Sequence, residues 1–111
     1  MNWQKLNDIE QLKAIKLESE TSPVLIFKHS TRCSISTTSL SKFERNWDDA
    51  KSKGIKPYFL DLLASKPISH EVEKEFSVEH QSPQVLLIKD GKCVFDASHM
   101  SISFNEVVSH A

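Results

Sequence analysis

The spacing of apolar residues predicts that helices and strands alternate along the chain. A first helix is expected to begin at Asn7 or Asp8, since either side chain can cap a helix. Its inward face is expected to carry four residues: Ile9, Leu12, Ile15 and Leu17. Ser22 and Pro23 stop this helix, and the continuous apolar run 24–27 then predicts a strand that is covered on both faces.

A second helix and a second strand follow. The helical stripe ends before Gly54 and consists of residues at spacings of four and three: Ser36, Leu40, Phe43, Trp47 and Ala50. The next strand is predicted over 57–62, and a third helix is predicted over 69–76.

The last third of the chain predicts two paired strands and a terminal helix. The short strands 85–88 and 93–95 are joined through Asp90 and Gly91, a pair that favours a type I′ hairpin turn. A capping-box pattern at Ser103 opens the last helix. A βαβ unit followed by an antiparallel ββα unit is the thioredoxin arrangement. We therefore predict one α/β domain over residues 1–111, thioredoxin-like, with a mixed four-stranded sheet and helices on both faces.

The composition argues against nucleic acids and membranes as partners. The chain has 14 Lys and Arg against 15 Asp and Glu, so it lacks the basic surface typical of nucleic-acid binders, and no nucleic acid is expected as a partner. Its start lacks the pattern of a secretory signal, and its apolar runs are too short to cross a bilayer, so no membrane is expected either. Two cysteines cannot form a disulfide scaffold. These features predict a reduced, cytoplasmic protein.

Cys33 is the residue that most clearly suggests chemistry. It lies at the turn from the first strand into a helix, where unpaired backbone N–H groups and the helix dipole favour an anion such as a thiolate. Arg32, Lys28 and His29 are expected to add positive charge. A buried, inert cysteine is the alternative, but the polar loop 30–32 favours an exposed and reactive thiol.

Ser36 stands where many redox proteins carry a second cysteine. Helical spacing places it beneath Cys33, but a serine cannot attack a mixed disulfide. Its hydroxyl could bond to backbone or could donate to the thiolate, and the sequence does not decide between the two. Cys93 is expected to pair with Ile88 and to lie at the other end of the sheet, about 20 Å away. A disulfide needs Cα atoms within about 7 Å, so Cys93 is assigned to packing.

Two further features bear on the site. Ser82 and Pro83 introduce the third strand beside Cys33, and a cis bond there would present the Ser82 backbone to an extended substrate. The five histidines show no spacing typical of metal ligands, so no metal site is predicted. His99 alone is expected to return to the Cys33 end of the sheet.

The segments FKHSTRCSIS, SPQVLLIKDGK and ASHMSIS resemble the monothiol bacilliredoxins of the YtxJ-like family, over almost the whole chain. That family has a thioredoxin-like fold. The resemblance implies that Cys33 is the nucleophile and that Pro83 is a cis-proline, with Arg32, Ser36 and Ser82 in support. Ser34 departs from the family pattern, in which proline often follows the cysteine, and this leaves the start of the helix less rigid.

A substrate groove is expected beside the thiol. Its candidate residues are Ser30, Thr31, Ser34, Gln84 and His99.

The resemblance implies a monothiol disulfide reductase that removes bacillithiol from S-bacillithiolated client proteins. Bacillithiol would be a co-substrate, with no tightly bound cofactor, and a second molecule of it must regenerate Cys33 because Ser36 cannot. Two other classes stay open. One is a module that binds an iron–sulfur cluster or a small thiol, and the other is a non-catalytic thioredoxin-like interaction domain.

Overall fold

A computed structural model describes residues 1–111. Its strands are β1 (Gln4–Lys5), β2 (Val24–His29), β3 (Lys56–Asp61), β4 (Gln84–Lys89) and β5 (Lys92–Ser98). Its helices are α1 (Gln11–Glu18), α2 (Ser34–Asn46), α3 (Lys66–Phe76) and α4 (Phe104–His110), with a 3₁₀ turn at His99–Ser101 before α4.

The strands form one mixed sheet in the order β1-β3-β2-β4-β5. The central strand β2 runs parallel to β3 and antiparallel to β4, and β4 pairs antiparallel with β5. This confirms the thioredoxin-like α/β arrangement. The predicted count of four strands was wrong, because β1 pairs two residues in parallel with β3. Both β1 residues are exposed and polar, so no apolar pattern marked this edge strand.

The core lies in two layers because successive side chains of β2 point to opposite faces of the sheet. Val24 and Ile26 pack with apolar residues of α1 and α3. Leu25 and Phe27 pack with those of α2 and α4. The predicted pattern of a strand covered on both faces is therefore confirmed, and all six residues of β2 are buried. No helix of the chain has both the length and the apolarity needed to cross a membrane.

The first helix starts later than predicted. Residues 8–10 form a turn, in which the Asp8 carboxylate accepts the Glu10 N–H and the Gln11 side chain accepts the N–H groups of Asn7 and Asp8. Ile9 therefore precedes the helix and is 45% exposed.

The predicted inward face of α1 was half right. Leu12 and Ile15 are buried, whereas Leu17 is 67% exposed. Two residues beyond Ile15 correspond to a rotation of about 200° around the helix, which turns Leu17 toward solvent.

The predicted stripe of the second helix is confirmed only up to Phe43. The helix α2 ends at Asn46, and Trp47 has extended backbone while its side chain still packs on the α2/α4 layer. Ala50 lies beyond the helix and is exposed, so its predicted place on the stripe was wrong.

The predicted hairpin turn and the predicted cap of the last helix are both confirmed. Asp90 and Gly91 both have positive φ, 52° and 74°, as the type I′ hairpin turn requires. The Ser103 hydroxyl accepts the Glu106 N–H at 3.4 Å and caps α4. The hairpin turn joins β4 to β5, and the Ser103 cap marks the start of the last helix.

Candidate active site

Cys33 is the N-cap residue of α2, at the carboxyl end of the central strand. Its N–H donates to the Ser30 carbonyl at 3.2 Å, and its carbonyl accepts the Thr37 N–H at 3.2 Å. No side chain caps the N–H groups of the first turn. Because these groups carry the positive end of the helix dipole, they are available to an anion on the half-buried Cys33 sulfur.

The positive charge around Cys33 is smaller than the sequence suggested. Lys28 is fully buried, on the sheet face opposite α2, and its Nζ lies 3.2 Å from His80 Nδ1. Burial lowers the pKa of Lys28 to about 8. His29 is also buried, and burial lowers its pKa. Of the three predicted cations, only Arg32 is exposed beside the thiol.

Ser36 is completely buried beneath the first turn of α2. Its Oγ accepts the Ser30 N–H at 3.0 Å and lies 2.7 Å from His29 Nδ1. Of the two roles that the sequence left open, the structure shows the bond to backbone. The hydroxyl braces the loop that carries Cys33, and it is paired with His29 rather than with the sulfur.

The Ser82–Pro83 bond is cis, as the resemblance implied. Lys28 pairs with Gln84 in the antiparallel register, so continuing that register places Ser82 across from Ser30. Neither main-chain group of Ser82 takes part in a hydrogen bond within the chain. The Ser82 hydroxyl is buried and also lacks a partner. An unpaired stretch of backbone therefore lies beside the loop of Cys33.

His99 returns to this end of the sheet, as predicted. Its N–H donates to the Pro83 carbonyl at 3.0 Å, and its own carbonyl accepts the Ser39 hydroxyl of α2 at 3.1 Å. The imidazole is exposed. The three segments that carry Cys33, Pro83 and His99 are thus joined at one edge of the molecule.

Gln84 does not line an open groove, contrary to the prediction. Its side chain is 1% exposed, and its amide bonds to the Glu79 carbonyl and the Gln81 N–H. Gln84 is the first residue of β4 and points into the molecule, where it supports the loop that precedes Pro83. The other groove candidates reach the surface: Thr31, Ser34 and His99 are exposed and Ser30 is half-buried.

Two exposed apolar residues at this edge were not predicted from the sequence. Ile35, in the first turn of α2, is 43% exposed, and Met100, next to His99, is 64% exposed. Neither residue belongs to a periodic apolar pattern, so the sequence does not show that it lies exposed near the thiol. His29 was predicted to add positive charge near Cys33. It is instead a buried partner of Ser36, and the sequence gives no sign that these two residues are in contact.

Cys33 is half-buried and lies outside the cavities of the molecule. Four surface cavities of about 260 to 410 Å³ are present, and Cys33 lines none of them. A thiol on a surface can be reached by a protein as well as by a small molecule. No group of three or more His, Cys, Asp or Glu side chains is arranged to hold a metal ion.

Comparison with known proteins identifies the family. Residues 4–107 match the family described as monothiol bacilliredoxin BrxC. The chain belongs to the monothiol bacilliredoxin family. The resemblance noted in the sequence is thereby confirmed, and membership makes the chain a thiol oxidoreductase.

Solved structures support the fold. A protein with a thioredoxin fold shares 24% identity with the chain at a TM-score of 0.80, over 96% of this chain and 90% of that one. The thioredoxin of Malassezia sympodialis shares 18% identity at a TM-score of 0.78, over 98% and 90%. The thioredoxin of Trypanosoma brucei brucei shares 14% identity at a TM-score of 0.75, over 98% and 87%.

Proposed function

We propose that this bacilliredoxin removes bacillithiol from S-bacillithiolated proteins in the cytoplasm, with Cys33 as the nucleophile. The observation that carries the proposal is the position of Cys33 at the uncapped start of α2, beside the unpaired backbone of Ser82. The helix terminus favours the thiolate, and the free backbone can pair with an extended client segment.

The reaction follows from one reactive thiol. The Cys33 thiolate attacks the bacillithiol sulfur of the mixed disulfide, a new disulfide forms between Cys33 and bacillithiol, and the client leaves as a thiolate that takes up a proton. A second bacillithiol thiolate then attacks the bacillithiol sulfur of this adduct. Bacillithiol disulfide forms, and Cys33 leaves as a thiolate. One disulfide is consumed and one is formed: the client sulfur is reduced, the second bacillithiol thiol is oxidised, and the proton that this thiol gives up balances the one that the client takes up.

The helix terminus serves the second step in particular. Cys33 must leave there, and a thiolate that its surroundings stabilise is the better leaving group. Ser36 cannot replace the second bacillithiol, since its oxygen forms no disulfide. Bacillithiol is accordingly a co-substrate, and the chain requires no tightly bound cofactor for these steps.

A single-turnover assay tests this function. A protein carrying one S-bacillithiolated cysteine is mixed with an excess of the reduced chain, and both are analysed by intact mass. The expected result is a free client thiol and one bacillithiol adduct on Cys33. An unchanged client would contradict the proposed activity, and removal of glutathione but not of bacillithiol from matched clients would contradict the proposed substrate.

A further inference from the structure

The steps of the proposed function do not use the contact between His29 and Ser36. Ser36 Oγ accepts one hydrogen bond, from the Ser30 N–H at 3.0 Å, and has one other polar neighbour, His29 Nδ1 at 2.7 Å. The hydroxyl is 0% exposed. A buried hydroxyl rarely leaves its hydrogen without an acceptor, and His29 Nδ1 is the acceptor available.

This hydrogen-bond count assigns the tautomer of His29. If Ser36 donates to Nδ1, the ring carries its proton on Nε2 and is neutral. Burial lowers the pKa of His29, although the carboxylates of Asp61 on β3 and Glu44 on α2 act in the opposite direction. The ring is also held in place, since it packs against Phe59 with ring centroids 5.4 Å apart.

The direction in which the Ser36 hydroxyl points bears on Cys33, because the two residues lie close together in the first turn of α2. Ser36 is three residues after Cys33, on the same face of the first turn of α2, at the spacing that allows two cysteines to bridge in C-x-x-C proteins. A hydroxyl released from His29 could therefore donate to the Cys33 thiolate. A hydrogen bond of that kind would favour the thiolate further and would weaken it as a nucleophile.

We propose that His29 is a positioning residue for Cys33, which takes the hydrogen of the Ser36 hydroxyl and so keeps this hydroxyl from donating to the thiolate. The inference rests on the proposed role of Cys33 as the nucleophile. The Ser36 oxygen meanwhile accepts the Ser30 N–H, and the Ser30 carbonyl in turn accepts the Cys33 N–H. The imidazole thus directs the hydrogen of the Ser36 hydroxyl, while the oxygen of the same hydroxyl holds the loop.

The test is the pH midpoint of Cys33 alkylation by iodoacetamide, in four variants. His29→Phe keeps an aromatic ring against Phe59 but removes the acceptor, so Ser36 turns to the thiolate and the midpoint falls by about one pH unit. Ser36→Ala leaves the midpoint near the wild-type value, because the hydroxyl does not bond to sulfur in the wild type. The double variant returns to that value as well. His29→Asn, whose amide oxygen can accept the same hydrogen, restores the wild-type midpoint.

A matched control comes from the same helix. Ser39 is buried in α2 and its hydroxyl donates to the His99 carbonyl, away from His29 and Ser36. Ser39→Ala is expected to leave the midpoint unchanged. An unshifted midpoint in His29→Phe, or a shift that persists in the double variant, overturns the proposal.

A measurement on the unmodified protein covers the case in which His29→Phe fails to fold. Long-range ¹H–¹⁵N correlation spectra distinguish a ring protonated on Nε2 from one protonated on Nδ1. Nε2–H is expected at neutral pH, and Nδ1–H overturns the proposal. Neither experiment uses bacillithiol, so a chain that passes both but leaves bacillithiol on its clients contradicts the proposed function alone.

Discussion

Cys33 and Cys93 are both free and both half-buried, yet their surroundings differ. Cys33 caps a helix whose first N–H groups are open to an anion. Cys93 lies within β5, packs against the α1/α3 layer, and donates its S–H to the Phe95 carbonyl at 3.3 Å. Burial raises the pKa of Cys93 to about 11. A similar degree of burial therefore leaves the two thiols in different chemical surroundings.

The two sulfurs also lie at opposite ends of the sheet. Cys93 pairs with Ile88, as the sequence predicted, and Ile88 pairs with Val24 at the start of β2. Cys33 follows the other end of β2, so the six residues of that strand separate them, or about 20 Å. A disulfide spans at most about 7 Å between Cα atoms, which keeps the two thiols apart.

Removing each sulfur in turn should have very different effects on activity. Cys33→Ser should reduce the removal of bacillithiol more than about a thousandfold, because the nucleophile is lost. Cys93→Ala should keep activity near the wild-type value. Rates are measured with an S-bacillithiolated client and free bacillithiol. Similar losses in the two variants would show that the assignment of Cys33 is wrong.

A second thiol at the reactive end should change the course of the reaction. Ser36→Cys places two cysteines at positions i and i+3 across the start of α2, close enough to bridge. The new thiol should displace the captured bacillithiol, because an internal group acts at a high effective concentration. Intact mass and peptide mapping should show a bridge between residues 33 and 36, one released small thiol per chain and no lasting adduct.

Two results would count against this prediction. Retention of the adduct without a bridge would mean that residue 36 does not face Cys33. A bridge between Cys33 and Cys93 would contradict the separation of the two sulfurs. The Cys93→Ala background is the matched control, since only one pairing is then possible.

Much of the fold could be predicted because its main signals are local. The apolar run of β2, the Asp90–Gly91 turn and the Ser103 cap each specify local geometry, and together they determine the order of elements. The edge strand β1 could not be found, because two exposed polar residues pair with β3 only after the rest of the sheet exists.

The site could be predicted less fully, since its chemistry depends on contacts across the fold. Cys33 was found from its place between a strand and a helix. The burial of Lys28 and His29 was not found, because a charged or polar residue after an apolar run usually marks the surface. Partners such as Ser36 for His29 appear only when α2 packs on the sheet.

Alkylation should distinguish the two cysteines in the unmutated chain. At about pH 8, iodoacetamide should label Cys33 in the folded chain and leave Cys93 unlabelled. A pKa of about 11 leaves only about one part in a thousand of the Cys93 thiol ionised at that pH. Peptide mass spectrometry over time measures both rates, and denaturation in urea should make both sulfurs react. Equal labelling of the two cysteines in the folded state would mean that Cys93 is not protected by its burial.

The smallest expected effect concerns stability in alkali. Burial raises the pKa of Cys93 to about 11 from an ordinary value of 9.0, so the folded chain holds this proton where the unfolded chain loses it. The stability that Cys93 contributes is fully present below about pH 9 and is lost as pH rises toward about 11. Cys93→Ala lacks this dependence.

Urea denaturation of the wild type and of Cys93→Ala measures the difference, because the other groups that titrate in alkali are common to both chains. Near pH 7 the wild type should be more stable by about 1 kcal/mol, since the variant loses the buried sulfur and its contacts. Between about pH 9 and 10.5 this advantage should fall by about 1.5 kcal/mol and so be lost or reversed, because the unfolded thiol ionises while most of the folded thiol does not. A difference that stays constant over that range would mean that Cys93 titrates normally in the folded chain. The contrast between the two cysteines would then rest on the position of Cys33 alone.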